Sequence, residues 1–186
     1  MRYRELRDEE LMYCYACGDA NAFDEIVSRY GRRLCEFAFR MLRDAGRAED
    51  VVQEAFVRVH LYAGRYKYGA AKFSTWIYKI TRNLAISELR KMGRRREDAT
   101  AEAVAGGEAP EQAVLRGEFN AALQAALAAL PADQRTAFVL REIQGMPYDE
   151  IARVEGVRIG TVRSRLNRAR NALARALGPY LDGDLK

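Results

Sequence analysis

The 186-residue chain is 49% hydrophobic and 31% charged, enough to bury one sizeable core or two small ones. No apolar run approaches the ~18 residues of a transmembrane helix, and the opening MRYRELRDEEL lacks the apolar stretch of a secretory signal, so a soluble, cytoplasmic protein without membrane insertion is expected. The net charge of +5 is uneven: residues 1–56 sum to −3, 57–96 to +10, 97–118 to −5 and 153–175 to +6, and two basic blocks separated by an acidic one point to two contacts with a polyanion.

Nearly every segment has helical period, beginning with MYCYACG. The cysteines are Cys14, Cys17 and Cys35, and His60 is the only histidine. Three thiols and one imidazole could complete a zinc tetrahedron. The helical pattern around CYAC favours cysteines that pack against a core instead, and an odd thiol count fits a reducing compartment. No metal, cofactor or catalytic group is therefore expected.

Phe23, Ile26, Val27, Tyr30, Leu34, Phe37 and Met41 mark the next helix, which Asp44-Ala-Gly breaks. Ala48, Val51, Val52, Ala55, Phe56 and Val59 mark another, with Glu49 and Asp50 placed in its first turn, where the dipole favours anions. A Gly- and Tyr-rich loop follows over 62–72, and Ser74 is read as the N-cap of a long helix to about Lys91. On that helix Phe73, Ile77, Ile80 and Leu84 share one face, while Thr75, Lys79, Arg82, Ile86 and Arg90 point the other way with Asn83 beside them. Basic side chains there track phosphates, and Tyr62, Tyr66, Tyr68, Tyr78 or Trp76 could stack on unpaired bases. Trp76 could equally cover the core.

Residues 97–118 contain few large apolar side chains, Gly106-Gly107 and Pro110, a linker composition. An Ala/Leu helix then runs to Leu130, Pro131 interrupts, and a further helix reaches about Gln144. The expectation is all-α: two small helical domains, 1–96 and 119–186, joined by a flexible acidic linker.

The last segment, IARVEGVRIGTVRSRLNRARNALARAL, reads as a short helix over 148–154, a turn at Glu155-Gly156-Val157 and a longer second helix, the layout of a helix-turn-helix. Ile151, Ala152, Val157 and Val162 would form its small core. At about 100° per residue, Val162, Leu166, Ala169 and Leu173 make one apolar stripe. The opposite face collects Arg163, Ser164, Asn167, Arg168 and Asn171, residue types that hydrogen-bond base edges and phosphates. Five positive charges between Arg163 and Arg175 are read as having no acid to pair them, and DNA contact is the favoured reading over a merely solvated face.

YDEIARVEGVRIGTVRSRLNRAR, with LPADQRTAFVLREIQGM before it, resembles the promoter-recognition region of bacterial sigma factors of the sigma-70 family. FSTWIYKITRNLAISELRK is similar to the family segment that captures and melts the downstream (minus-ten) element. RAEDVVQEAFVRVH, residues 47–60, resembles the segment that docks on core RNA polymerase. Four blocks in order, without the extra domains of housekeeping members, resemble the compact extracytoplasmic-function (ECF) group.

The resemblance implies region 2 and region 4 domains on either side of the linker, which would pass through the RNA exit path. It implies upstream-element contacts at Arg141, Arg163, Ser164, Asn167 and Arg168. Downstream-element contacts would be Tyr66, Lys67, Lys72, Trp76, Lys79, Arg82 and Asn83. Glu49, Asp50, Gln53, Glu54 and Phe56 would meet the polymerase, with its clamp helices and flap as partners, promoter DNA as target, and an anti-sigma factor as regulator. His60 and Arg47 depart from residues usual in the family. The alternative is a stand-alone helix-turn-helix regulator. An enzyme is not expected, since the chain has one histidine, no Gly-rich phosphate loop and no nucleophile–base pairing.

Overall fold

The computed structural model describes residues 3–66, 72–98 and 111–181, and every element within them is helical. The helices are α1 (Asp8–Ala16), α2 (Ala20–Leu42), α3 (Ala45–Tyr62), α4 (Phe73–Asp98), α5 (Glu111–Ala129), α6 (Ala132–Phe138), α7 (Tyr148–Glu155) and α8 (Ile159–Leu181).

Helix α2 is the spine. Its buried residues Ala22, Ile26, Tyr30, Leu34, Phe37, Ala38 and Met41 recur at three- and four-residue steps, so one stripe faces inward along the whole helix. It stops at Arg43, whose left-handed backbone (φ 58°) turns the chain, and the Arg43 N–H donates to the Phe39 carbonyl at 2.8 Å. Asp44 then caps α3 by accepting from the Arg47 N–H at 3.0 Å. The break therefore falls at Arg43-Asp44, and Ala45-Gly46 already belong to α3. As a result Glu49 and Asp50 sit past the first turn, where the dipole expected to favour them has faded.

Ser74 is not the cap of α4, which begins one residue earlier at Phe73. The Phe73 N–H, without a partner inside its own helix, donates instead to Glu9 Oε1 of α1 at 3.0 Å, so a helix 64 residues upstream seats this start. The α1–α2 corner is itself tied by Arg29, which donates to Glu25 (2.9 Å), Asp8 (2.8 Å) and the carbonyls of Leu6 and Tyr3 (both 2.9 Å).

Helices enter the expected linker from both sides, α4 to Asp98 and α5 from Glu111; residues 99–110 lie outside the described residues. After Pro131, α6 widens into a π-helical turn over Val139–Ile143, closed by Gln144 N–H to Val139 O at 3.0 Å.

The two halves share one core. Leu34, Phe37 and Met41 of α2 and Phe73, Ile77 and Tyr78 of α4 join Leu127, Leu140, Ile151 and Val162 in a single buried cluster. Across this boundary Tyr78 donates to Gln144 Oε1 at 2.7 Å, Arg33 to the Gln144 carbonyl at 3.2 Å and Arg135 to the Met41 carbonyl at 2.5 Å. Two independent cores were compatible with the sequence, and only the fold reveals their fusion.

Candidate nucleic-acid interface

Helices α7 and α8 form the helix-turn-helix at the expected place. Gly156 has φ 69°, a left-handed turn that a side chain would strain, and Val157 N–H closes the turn on Ala152 O at 3.0 Å. Ile151, Val154, Val162, Leu166, Ala169 and Leu173 are buried, which fixes the rotation of α8. That rotation leaves Arg163, Ser164, Asn167, Arg168 and Asn171 exposed on the far side. Ser164 donates to the Thr161 carbonyl at 2.9 Å, while Arg163 and Arg168 carry no ion pair among the described residues.

Two of the five arginines read as unpaired are in fact paired by acids from other helices. Arg165 bridges Asp133 (3.0 Å) and Glu155 (2.7 Å), and Arg170 meets Glu142 at 2.5 Å. Sequence order hid these partners because they lie 10 to 32 positions upstream. Arg141 is also engaged: its guanidinium stacks 4.9 Å over the Tyr148 ring and donates to the Met146 carbonyl at 3.2 Å.

The first basic block gathers on α4 and the chain entering it. Lys79 and Asn83 are exposed. Trp76 is half-buried, in a ring cluster with Tyr66 (centroids 5.2 Å) and Phe73 (6.0 Å), which holds its indole beside the basic face. Tyr62 is exposed, with Arg65 5.4 Å over its ring. Lys67 and Tyr68 lie outside the described residues.

Tyr78 is not available for stacking on bases. Its ring is buried edge-on against Phe37, and burial pushes its phenol up to about 12. Thr75 and Arg82 were also read as outward-facing, yet Thr75 is buried and Arg82 half-buried, because the α7 side of the C-terminal half covers that face of α4. Burial holds the Arg82 guanidinium below its usual range, and the charges of Glu155, Arg165 and Asp133 act on it there. Lys72 pairs with Glu150 of α7 at 2.5 Å.

On α3, Glu49, Asp50, Gln53 and Glu54 are all exposed, with Glu54 held by Arg58 at 2.8 Å. Phe56 differs: it is half-buried and meets Phe23 edge-on at 6.1 Å, so packing explains much of its presence. Sequence reasoning missed what Arg47 does, which is to clamp α3 to α4 by pairing with Glu88 (2.5 Å) and Asp44 (3.2 Å). A lone acid, Glu88, within the basic block was the available signal. His60 is exposed and its Nδ1 is hydrogen-bonded to the Tyr15 hydroxyl. Cys14 and Cys35 are half-buried free thiols and Cys17 an exposed one; among the described residues no grouping could hold a metal ion. No helix there is long and apolar enough to cross a membrane.

Fold and interface together define an all-helical protein with a helix-turn-helix and a second basic, aromatic face. Residues 26–95 match the family model for Sigma-70 region 2, and residues 120–173 that for Sigma-70, region 4. The RNA polymerase sigma-H factor of Pseudomonas aeruginosa is 39% identical, covering 94% of this chain and 96% of that protein. The ECF RNA polymerase sigma-E factor of Escherichia coli is 33% identical over 95% of this chain and 97% of its own. Among solved structures, the sigma factor RpoE in complex with the anti-sigma factor NepR, from Bartonella quintana, aligns with a TM-score of 0.68 at 30% identity, covering 84% of this chain and 96% of that one. The chain belongs to the sigma-70 family of RNA polymerase sigma factors, in its extracytoplasmic-function group.

Proposed function

We infer that this chain is an initiation subunit that joins core RNA polymerase and directs it to particular promoters, and that it acts in the cytoplasm as a non-catalytic factor. The observation that carries the reading is the orientation of α8: one face locked into the core, the opposite face offering Arg163, Ser164, Asn167 and Arg168 to a major groove. These four read the upstream element. Arg141, engaged with Tyr148 and Met146, acts by seating the start of α7.

Lys72, Lys79, Arg82 and Asn83, with Tyr66 and Trp76, capture the melted downstream strand, and Lys67 in the preceding loop joins them. Bases are taken out of the stack by binding energy. Glu49, Asp50, Gln53 and Glu54 form the polymerase-facing surface of α3, with Phe56 supporting it from beneath. The same proposal divides the chain into a region 2 domain (1–96), a linker (97–118) and a region 4 domain (119–186); the family matches over 26–95 and 120–173 support it. The RpoE relative is bound by an anti-sigma factor, which supports the same kind of control here.

Run-off transcription with core polymerase on a pool of promoter fragments tests the reading. Selective transcripts sharing two spaced elements are expected. Arg168→Ala should weaken use of those promoters by roughly 5- to 150-fold, the value of one good bidentate base contact. Core binding should be unchanged; an equal loss of core binding refutes the assignment. Clean duplex binding without transcripts would favour the stand-alone regulator.

A further inference from the structure

The initiation role makes no use of the stretch Cys14-Tyr-Ala-Cys17, and the fold explains only half of it. Cys14 lies near the end of α1, half-buried and packed against the core. Cys17 follows one turn later as the residue that ends the helix, and it is exposed. An exposed thiol buries nothing, so packing accounts for Cys14 and leaves Cys17 without a structural reason.

The two thiols stand in register for each other. Cys17 keeps a near-helical backbone (φ −83°, ψ 3°), and its N–H donates to the Tyr13 and Cys14 carbonyls at 3.0 and 3.1 Å. One helical turn puts Cα atoms three positions apart at about 5 Å, inside the span that a disulfide bridges. Their Cβ atoms start roughly 5–6 Å apart, whereas a disulfide needs about 3.5–4.5 Å, so closure must tighten the turn. The turn has room to do so. Gly18 comes next at φ 101°, and a Cβ built there would meet nothing within 4 Å. Cys14 is the anchored partner and Cys17 the movable one. Cys35 on α2 supplies the contrast: it is half-buried, and burial followed by the charge of Glu49 pushes its thiol up, which keeps it protonated and slow to react.

We propose that Cys14 and Cys17 form a redox-active dithiol, oxidised reversibly by low-molecular-weight disulfides of the glutathione type. The Cys17 thiolate attacks one sulfur of that disulfide, breaks its S–S bond and releases one thiolate, which leaves a mixed disulfide on Cys17. Cys14, deprotonated, then attacks the Cys17 sulfur, forms the Cys14–Cys17 bond and expels the second thiolate. Two electrons pass from the protein pair to the small disulfide, and the two thiol protons end on the two released thiols. Excess small thiol runs both steps backwards. Because the turn must tighten, the bond is strained and easily reduced, which suits a switch in a reducing compartment rather than a structural staple. The strain falls on the corner between α1 and α2. There Gly18 N–H donates to the Tyr15 carbonyl at 2.9 Å, Asp19 N–H to the Cys14 carbonyl at 3.1 Å, and the Tyr3 hydroxyl to the Asp19 carboxylate at 2.9 Å. Oxidation loosens that corner, whatever the chain does at promoters.

The test incubates the full chain with glutathione disulfide and reads peptide masses without reduction. Cys14 and Cys17 share the tryptic peptide 8–29, and Cys35 falls in the peptide 34–40. The first should become lighter by two hydrogens, the second should be unchanged, and excess glutathione should restore the starting masses. Cys17→Ser, at an exposed position that does not threaten the fold, should abolish the bridge, and Cys35→Ser should leave it intact. In the oxidised chain the amides of Cys17, Gly18 and Asp19 should exchange roughly 5- to 10-fold faster, the loss of about one hydrogen bond each. Retention of both thiols in the peptide 8–29 overturns the proposal, as does a glutathione adduct on Cys17 that never resolves. A bridge to Cys35 or between two chains overturns it as well, and so does an oxidised chain whose corner exchanges no faster than the reduced one.

Discussion

Asp44 shows how much one side chain settles. Its carboxylate accepts from the Arg47 N–H at 3.0 Å and from the Arg47 guanidinium at 3.2 Å. The backbone hydrogen bond, followed by that guanidinium, holds its pKa below the ordinary 3.8. A carboxylate with a depressed folded-state value stabilises the fold above its unfolded value, and that stability disappears as pH falls through the lowered one. Asp44→Ala should therefore cost about 0.5–1 kcal/mol at pH 7, the lower part of the N-cap range because the group is partly exposed. The difference between variant and wild type should shrink below about pH 4. Urea unfolding at pH 7 and pH 3 checks both statements. The cap was concealed in the sequence because Asp44 looked like part of a helix-breaking Asp-Ala-Gly turn, when Arg43 alone adopts the left-handed conformation.

Among the helices, α8 was legible and α4 only half so, for one physical reason. Helix α8 packs a single apolar stripe, so its wheel separates cleanly into Val162, Leu166, Ala169 and Leu173 against Arg163 and Arg168. Leu166→Ala should cost about 2–5 kcal/mol, because the side chain is 1% exposed and the site is braced by α6 and α7. Thermal unfolding measures it, and a loss under 1 kcal/mol would mean that this core relaxes freely. Helix α4 is buried on two sides. One stripe, Phe73, Ile77 and Ile80, was visible; the second, Thr75, Tyr78 and Arg82, carries polar groups that a wheel assigns to solvent. Its covering partner begins more than 60 residues later in the chain, beyond the reach of any local pattern. Glu150 and Glu155, acids in an otherwise basic terminal segment, were the trace it left.

For the molecule as a whole, Arg135 is the joint. It is 7% exposed, and its guanidinium donates to Met41 O at the end of α2 and to Ala128 O and Leu130 O at the end of α5. Helix C-termini present unpaired carbonyls and negative dipole ends, so one cation satisfies two helices from different halves. Arg135→Ala should cost about 2–4 kcal/mol by orphaning those carbonyls. Amide exchange near the ends of α2 and α5 should rise together, and a rise at α5 alone would show that the halves are not joined there. The helical class, the helix-turn-helix and the candidate DNA faces were readable from periodicity and charge. The joining of the halves was not, since an arginine within ADQRTAF gives no sign of carbonyls waiting 94 residues upstream.

The Glu9 contact carries a practical corollary. The stretch matched to region 2 starts at residue 26, yet the backbone of α4 is anchored by a carboxylate from α1, and Leu11 and Met12 of that helix lie in the common core. A recombinant fragment cut at the family boundary would keep the basic and aromatic side chains of α4 and lose the strut that positions their helix. Domain dissection of this protein should begin no later than Tyr3, whose hydroxyl and carbonyl already belong to the same scaffold.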